Sequence, residues 1–203
     1  MKQALFSSLY LAPIAYYKAL LSCDEHIIEQ YNHYERKTYQ NRCEILSANG
    51  IIALSVPVEK TSNVKTPFKE IRIAYHTDWQ KQHLKALTSA YMNSPFYEYY
   101  IDDFRPLYEQ KFDTLMAFNL ALHELILELI EEPRAHILSS EFCQNTDLSD
   151  LRFAFTPKTR LRANLKSYTQ VFSGKLPFEP NLSILDLLFN LGPETELYLK
   201  ATT

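Results

Sequence analysis

The sequence predicts an α/β fold: a single domain over residues 1–203, with a mixed or mostly parallel sheet, a hairpin and flanking helices. Three observations predict it. Short apolar and β-branched runs alternate with turn signals over the first third of the chain. Helical periodicity takes over between Thr77 and Glu132. Asn49-Gly50, a strong tight-turn pair, separates two apolar runs. Hydrophobic residues make up 46% of the 203 positions, enough for a full core.

The elements follow in order. "QALFSS" reads as a short buried strand and "LYLAP" as a turn closed by Pro13, whose fixed φ suits a first helical turn. "IAYYKALLSC" continues as a helix, with Ile14, Tyr17, Ala19, Leu20 and Leu21 on its apolar side. A leader peptide is the competing reading of this stretch. Ser7 and Ser8, Pro13 and Lys18 interrupt the apolar run it needs, so the segment is expected to be retained and structured. "EHIIEQYNHY" reads as a second strand. "YQNRCEIL" and "IIALSVPV" form the hairpin, "TSNVKTP" a polar loop, and the alternating "FKEIRIAY" a further strand. Asp78 or Thr77 caps a helix through Met92, with Trp79, Leu84, Leu87 and Tyr91 as its stripe and His83 beside it. Pro95 opens another helix, "PFYEYYIDDF", ending near Pro106. The longest helix spans about Asp113 to Glu132 and is apolar almost all round, which places it centrally. "RAHILSS" is a strand, "DLRFAFTPKTRLRANLK" an extended loop or hairpin, and "SYTQVF" a last short strand. "PNLSILDLLFNLG" is a terminal helix capped at Asn181 or Ser183 and closed by Gly192.

Composition excludes several functions. A net charge of -3 gives no broad field for nucleic acid or an anionic membrane, although a local basic cluster exists. No charge-free run is long enough to span a bilayer. Three widely spaced cysteines without CxxC argue against a disulfide framework and fit a reducing compartment. With Gly50, Gly174 and Gly192 as the only glycines, neither dinucleotide nor phosphate-loop signature can be written, and no nucleophile elbow occurs. His123-Glu124 opens a zinc-protease pattern, but Leu127 stands in place of the second histidine. "HTDWQKQH" offers His76, Asp78 and His83 without a third ligand nearby. Neither a cofactor nor a catalytic metal is therefore expected.

The sharpest local signal is "RKTYQNR". If the strand extends back from Ile45, Lys37, Tyr39, Asn41 and Cys43 share one face, and Arg36, Thr38, Gln40 and Arg42 the other. Arg36, Lys37 and Arg42 then hold a diphosphate or carboxylate, which the guanidinium fork suits, or form a solvated strand end with one structural Asn. His83 is either a packing residue against Trp79 or a general base with a pKa near neutrality. Asn119 and His123, one helical turn apart, bond in the core or reach a pocket. Asp186 is the polar side of the last helix or an acid aimed into a site; its spacing with Ser183 and Asn190 points to solvent. The 14 Tyr and 12 Phe are mostly core rings, with tyrosine hydroxyls available to line sugar or nucleotide pockets.

"LYLAPIAYYKALL", "KTYQNRCEIL-NG-IALSVPV", "DWQKQHLKALTSAYMNSPFYEYY" and "PFEPNLSILDLLFNLGP" follow one another as they do in the WbqC-like family, which nearly the whole chain resembles. Lys37-Thr38-x-x-Asn41-Arg42 and Leu182-Ser183-Ile184-Leu185-Asp186 are the most specific parts. Members often begin Gln-Pro-Tyr-x-x-Pro-x-x-Gly-Tyr; Tyr10, Pro13 and Tyr17 match, whereas Ser8, Leu9 and Tyr16 depart. A βα unit of longer relatives is missing or reduced after "RAHILSS". The resemblance implies a cytoplasmic α/β protein of surface polysaccharide biosynthesis, including O-antigen. By association it implies a transferase acting on nucleotide-linked sugars; a non-catalytic binding or assembly protein of the same pathway is the alternative. The expected site joins His83 as base to Tyr10, Pro13, Lys37, Asn41 and Arg42 around a small-molecule substrate, in one pocket beyond the strand ends.

Overall fold

The computed structural model describes residues 2–60, 65–144, 148–160 and 163–201. Residues 61–64 of the expected polar loop and residues 161–162 of the basic segment lie outside them. The fold is α/β, as expected. β1 (Gln3–Ser7), β2 (Glu25–Glu29), β5 (Ile137–Leu138) and β6 (Ser149–Asp150) form a parallel sheet in the order β5-β2-β1-β6. β3 (Arg42–Ser47) and β4 (Gly50–Ser55) form a separate antiparallel hairpin, with Ser47 paired to Gly50 across the Asn49-Gly50 turn. Gly50 carries φ +104, which the turn requires and a side chain resists.

β1 is the centre of the sheet. It pairs with β2 from Gln3↔Glu25 to Ser7↔Glu29 and with β6 at Ala4 and Leu5. Ala4, Leu5 and Phe6 are fully buried, so this strand reads as continuous apolar rather than alternating, as a sheet covered on both faces demands. Pro13 opens α1 (Ile14–Leu21). The helices α2 (Trp79–Tyr91), α3 (Tyr97–Glu109), α4 (Leu115–Leu129), α5 (Ile184–Leu191) and α6 (Thr195–Lys200) complete the fold. α4 is central, with Leu115, Phe118, Leu122 and Ile126 fully buried. Its Thr114 hydroxyl accepts from the Ala117 N–H, a side-chain cap. Asp78 holds the corresponding place before α2 but makes no side-chain capping bond.

α5 ties the parts together. The Ser183 N–H donates to the Glu44 carbonyl of β3, and the N–H groups of Ile14 and Ile184 exchange bonds with the Leu182 and Ala12 carbonyls. Gly192 ends α5 at φ +55, and a Cβ there would stand 2.5 Å from the Phe96 ring. Both its backbone angle and its neighbour therefore require glycine.

Four elements differ from expectation. "FKEIRIAY" is a 3-10 turn (Phe68–Glu70) followed by single bridges, Val58↔Ile73 and Arg72↔Thr114. Its alternation is real, because Phe68, Ile71 and Ile73 are buried. However, its backbone bonds go alternately to the 57–59 and 113–115 segments, so no ladder forms. Pro106 lies inside α3 rather than at its end. Asp102, whose carbonyl loses its helical donor there, is exposed. "SYTQVF" is not a strand. Asp186 is fully buried and accepts hydrogen bonds from Tyr91, Tyr168 and Gln170. α5 is buried along Ile184–Asn190 on every side, so helical spacing carried no information about a solvent face.

Candidate anion-binding cleft

The base of the β3–β4 hairpin carries the site. One residue before β3, Asn41 closes the hairpin twice. The Val56 N–H donates to its carbonyl at 2.7 Å, and its own Nδ2 donates to the Val56 carbonyl at 2.9 Å. The preceding turn is held from within. The Gln40 carboxamide oxygen accepts from the Glu35 N–H at 2.8 Å, the Thr38 hydroxyl donates to the Glu35 carbonyl at 2.7 Å, and Asn119 Nδ2 on α4 donates to the Gln40 carbonyl at 2.9 Å. Lys37 adopts φ 62, a left-handed conformation that costs a non-glycine residue about 1–2 kcal/mol.

The outcome is a cleft of about 310 Å³ whose lining includes Arg36, Lys37, Asn41, Arg42 and Lys60, with Glu59 the one acid among its described lining residues. Arg42 makes a long contact with Glu44, 3.6 Å from one terminal nitrogen, while its Nε is buried without a partner. Among the described residues Arg36, Lys37 and Lys60 have no ion pair. Such an excess of unpaired cations over acid in one cleft is suited to phosphate or carboxylate.

The turn also corrects the expected pattern of faces. β3 begins only at Arg42, so residues 37–41 do not alternate as a strand. Tyr39 and Cys43 are buried and Lys37 is exposed. The cleft brings Lys37, Asn41 and Arg42 together; Tyr10, Pro13 and His83 do not line it. Pro13 is buried at the start of α1, bridged to Ser183. Tyr10 is fully buried, with its hydroxyl 2.8 Å from His83 Nδ1 and 2.5 Å from the Tyr108 hydroxyl. His83 is 5% exposed and packs against the edges of Trp79 and Tyr108. Burial lowers its pKa to about 4, opposed by a bond to the Ser55 backbone. Thus Ser55 separates the two groups of residues: its outer side lines the cleft, and its backbone meets His83 from the core.

Asn119 and His123 both take the core alternative, Asn119 by its bond to the turn. His123 Nε2 lies 3.5 Å from His26 Nε2, and its Nδ1 3.4 Å from the Tyr17 hydroxyl. Among the described residues no group of three His, Cys, Asp or Glu is placed to hold a metal ion. Sequence reasoning missed the polar cluster at the carboxyl end of the sheet. Glu29, fully buried, lies 3.5 Å from the Arg152 guanidinium and accepts from the Ser139 hydroxyl and the Tyr31 N–H. The available signal was a carboxylate ending the apolar run "HIIE", a position that a buried parallel strand leaves polar only with a partner.

An α/β protein with a parallel sheet and a basic cleft at the foot of a hairpin is the class that fold and site define. A model of the WbqC-like protein family matches residues 8–164. The chain belongs to the WbqC-like protein family. It is 25% identical to "Uncharacterized protein Rv1507c" of Mycobacterium tuberculosis, over 98% of this chain and 97% of that protein. No solved structure matches.

Two substitutions probe the cleft. Asn41→Ala is expected to cost roughly 1–3 kcal/mol in urea unfolding, because the Val56 carbonyl loses its donor. Lys37→Gly removes a cation where the backbone favours glycine, and should change stability by less than about 1 kcal/mol. A large loss in Lys37→Gly, or none in Asn41→Ala, contradicts this account of the turn.

Proposed function

We propose that this protein is a transferase-type enzyme of surface polysaccharide or nucleotide-sugar metabolism, with the phosphate groups of an activated sugar seated in the basic cleft. The observation that carries the reading is the convergence of Arg36, Lys37, Arg42 and Lys60 on one cleft. Arginine forks match phosphate oxygens in pairs, and lysines add point charge. The resemblance to WbqC-like sequences supports the pathway, and the cytoplasm is where such a donor would be met. No helix among the described residues is long and apolar enough to cross a membrane.

A second reading, a non-catalytic binding or assembly protein of the same pathway, is favoured by one observation. His83, the expected base, is engaged in the core by Tyr10 and Ser55 rather than turned into the cleft. A thermal-shift series with nucleotide sugars tests both. A ligand at about 100 times its dissociation constant adds about 2.7 kcal/mol of stability, and Lys37→Gly should remove most of that gain. Turnover of the bound compound then selects the enzyme; binding without turnover of any donor and acceptor pair selects the second reading. No shift with any phosphate-bearing ligand contradicts both.

A further inference from the structure

A second opening lies at the carboxyl end of the parallel sheet. β1 stands between β2 and β6. The chain steps from β1 to β2 on one side and later lays β6 on the other, which makes the β1–β6 boundary the topological switch point. In open α/β sheets ligands collect in the crevice outside the strand ends at such a point. Here that crevice is bounded by Ser7 at the end of β1 and Leu9 beyond it, by Arg152 and Phe153 after β6, and by Thr38 and Gln40 of the 35–41 turn.

Its chemistry differs from that of the basic cleft. The Arg152 guanidinium is already engaged, with bonds of 3.0 and 2.7 Å to Asp150 and the longer contact to buried Glu29. One cation against two carboxylates leaves nothing to attract an anion. Beneath the crevice, Asn32 Nδ2 donates to the Ser7 hydroxyl, which donates to the Arg152 carbonyl. Asn32, 3% exposed, keeps its Oδ1 without a partner. At the rim Phe153 is 59% exposed, its ring 5.7 Å from the Arg152 guanidinium carbon. A phenyl face left in water beside hydroxyl and amide groups suits a ring that is apolar on its faces and polar at its edge. A pyranose has that form: its C–H face covers the aromatic ring, and its hydroxyls reach the walls. The enclosed space is about 20 Å³, room for about one water, so such a ring lies across the mouth on Phe153 rather than inside.

The two openings share one wall. Within the 35–42 segment, Arg36, Lys37, Asn41 and Arg42 line the basic cleft, while Glu35, Thr38 and Gln40 line the crevice. We infer that the switch-point crevice binds the sugar ring of the ligand whose phosphates occupy the basic cleft, with the ligand lying across this turn. The spanning pose rests on the proposed phosphate role of the cleft; the sugar site itself does not.

The test separates the two. Saturation-transfer NMR with methyl glucoside, N-acetylglucosamine and uridine reads the crevice, and calorimetry with pyrophosphate reads the cleft. Phe153→Ala removes an exposed ring and should leave the fold intact. It is expected to cut the monosaccharide signal about fivefold, the weight of one aromatic contact, without changing pyrophosphate binding. Lys37→Gly is expected to do the reverse. Monosaccharide signals that are absent, that survive Phe153→Ala, or that are replaced by uridine alone overturn the sugar site. Failure of pyrophosphate to bind overturns the reading of the basic cleft and the spanning pose, whatever the sugars do.

Discussion

Deletion of residues 1–22 is expected to leave no soluble, cooperatively folding protein. The deletion removes β1, the strand between β2 and β6, and with it the paired backbone groups of both neighbours. Buried backbone groups without partners are expensive. It also removes α1, whose Ile14, Tyr16, Tyr17 and Leu20 are buried, and the turn that bonds α5 through Ile14 and Ala12. The loss thus reaches every layer. A gentler variant gives a measurable value: Phe6→Ala, at a fully buried ring stacked on Phe155 and edge-on to Tyr16, should cost about 3–5 kcal/mol. An unchanged melting curve after the deletion, or a Phe6→Ala cost under about 1 kcal/mol, contradicts this view of the segment.

The second large effect is acid sensitivity. Burial, with repulsion from neighbouring cations and imidazoles, lowers His26 to about 4 and His123 to about 3; burial lowers His83 to about 4. In the unfolded chain each returns to about 6.5. Between those values the unfolded state binds more protons, so stability is complete above about pH 6.5 and falls as pH drops toward the folded values. Each histidine contributes about 1.4 kcal/mol per pH unit in that window. From about pH 7 to about pH 5 the three sum to on the order of 6 kcal/mol, a large share of ordinary domain stability. Asp186 opposes them. Burial raises its pKa, so protonation favours the folded state as pH falls, but it is one group against three. Urea unfolding across this range should show the slope, and His83→Phe should remove about a third of it. A flat profile contradicts the buried, neutral assignment.

The elements that were legible in the sequence are those whose signals are local. Asn49-Gly50 fixed the hairpin, Pro13 the start of α1, and the long apolar run α4. The failures share one cause: neighbours remote in sequence decided the outcome. "FKEIRIAY" alternates as a strand does, but its backbone finds partners in two different segments. Asp186 follows a helical spacing that points to solvent, yet Tyr91, Tyr168 and Gln170 enclose it. The candidate site divides in the same way. Lys37, Asn41 and Arg42 meet in one cleft because a single turn carries them. Tyr10 and His83 pair with each other, because the βα turn that bears Tyr10 faces α2 and α4 rather than the hairpin's outer side. Glu29, Asn32 and Arg152 come together only when β1, β2 and β6 align, and no spacing along the chain announces that.

Titration calorimetry of a nucleoside diphosphate against the wild-type protein and Arg42→Lys reads the basic cleft itself. One binding site is expected, with an affinity that falls with added salt, as a charge-paired ligand requires. Arg42→Lys, which keeps the charge but loses the fork, is expected to weaken binding about tenfold, the worth of one charge-assisted hydrogen bond. Salt-insensitive binding, equal affinity in the variant, or no binding at all would overturn the anion-binding role of the cleft.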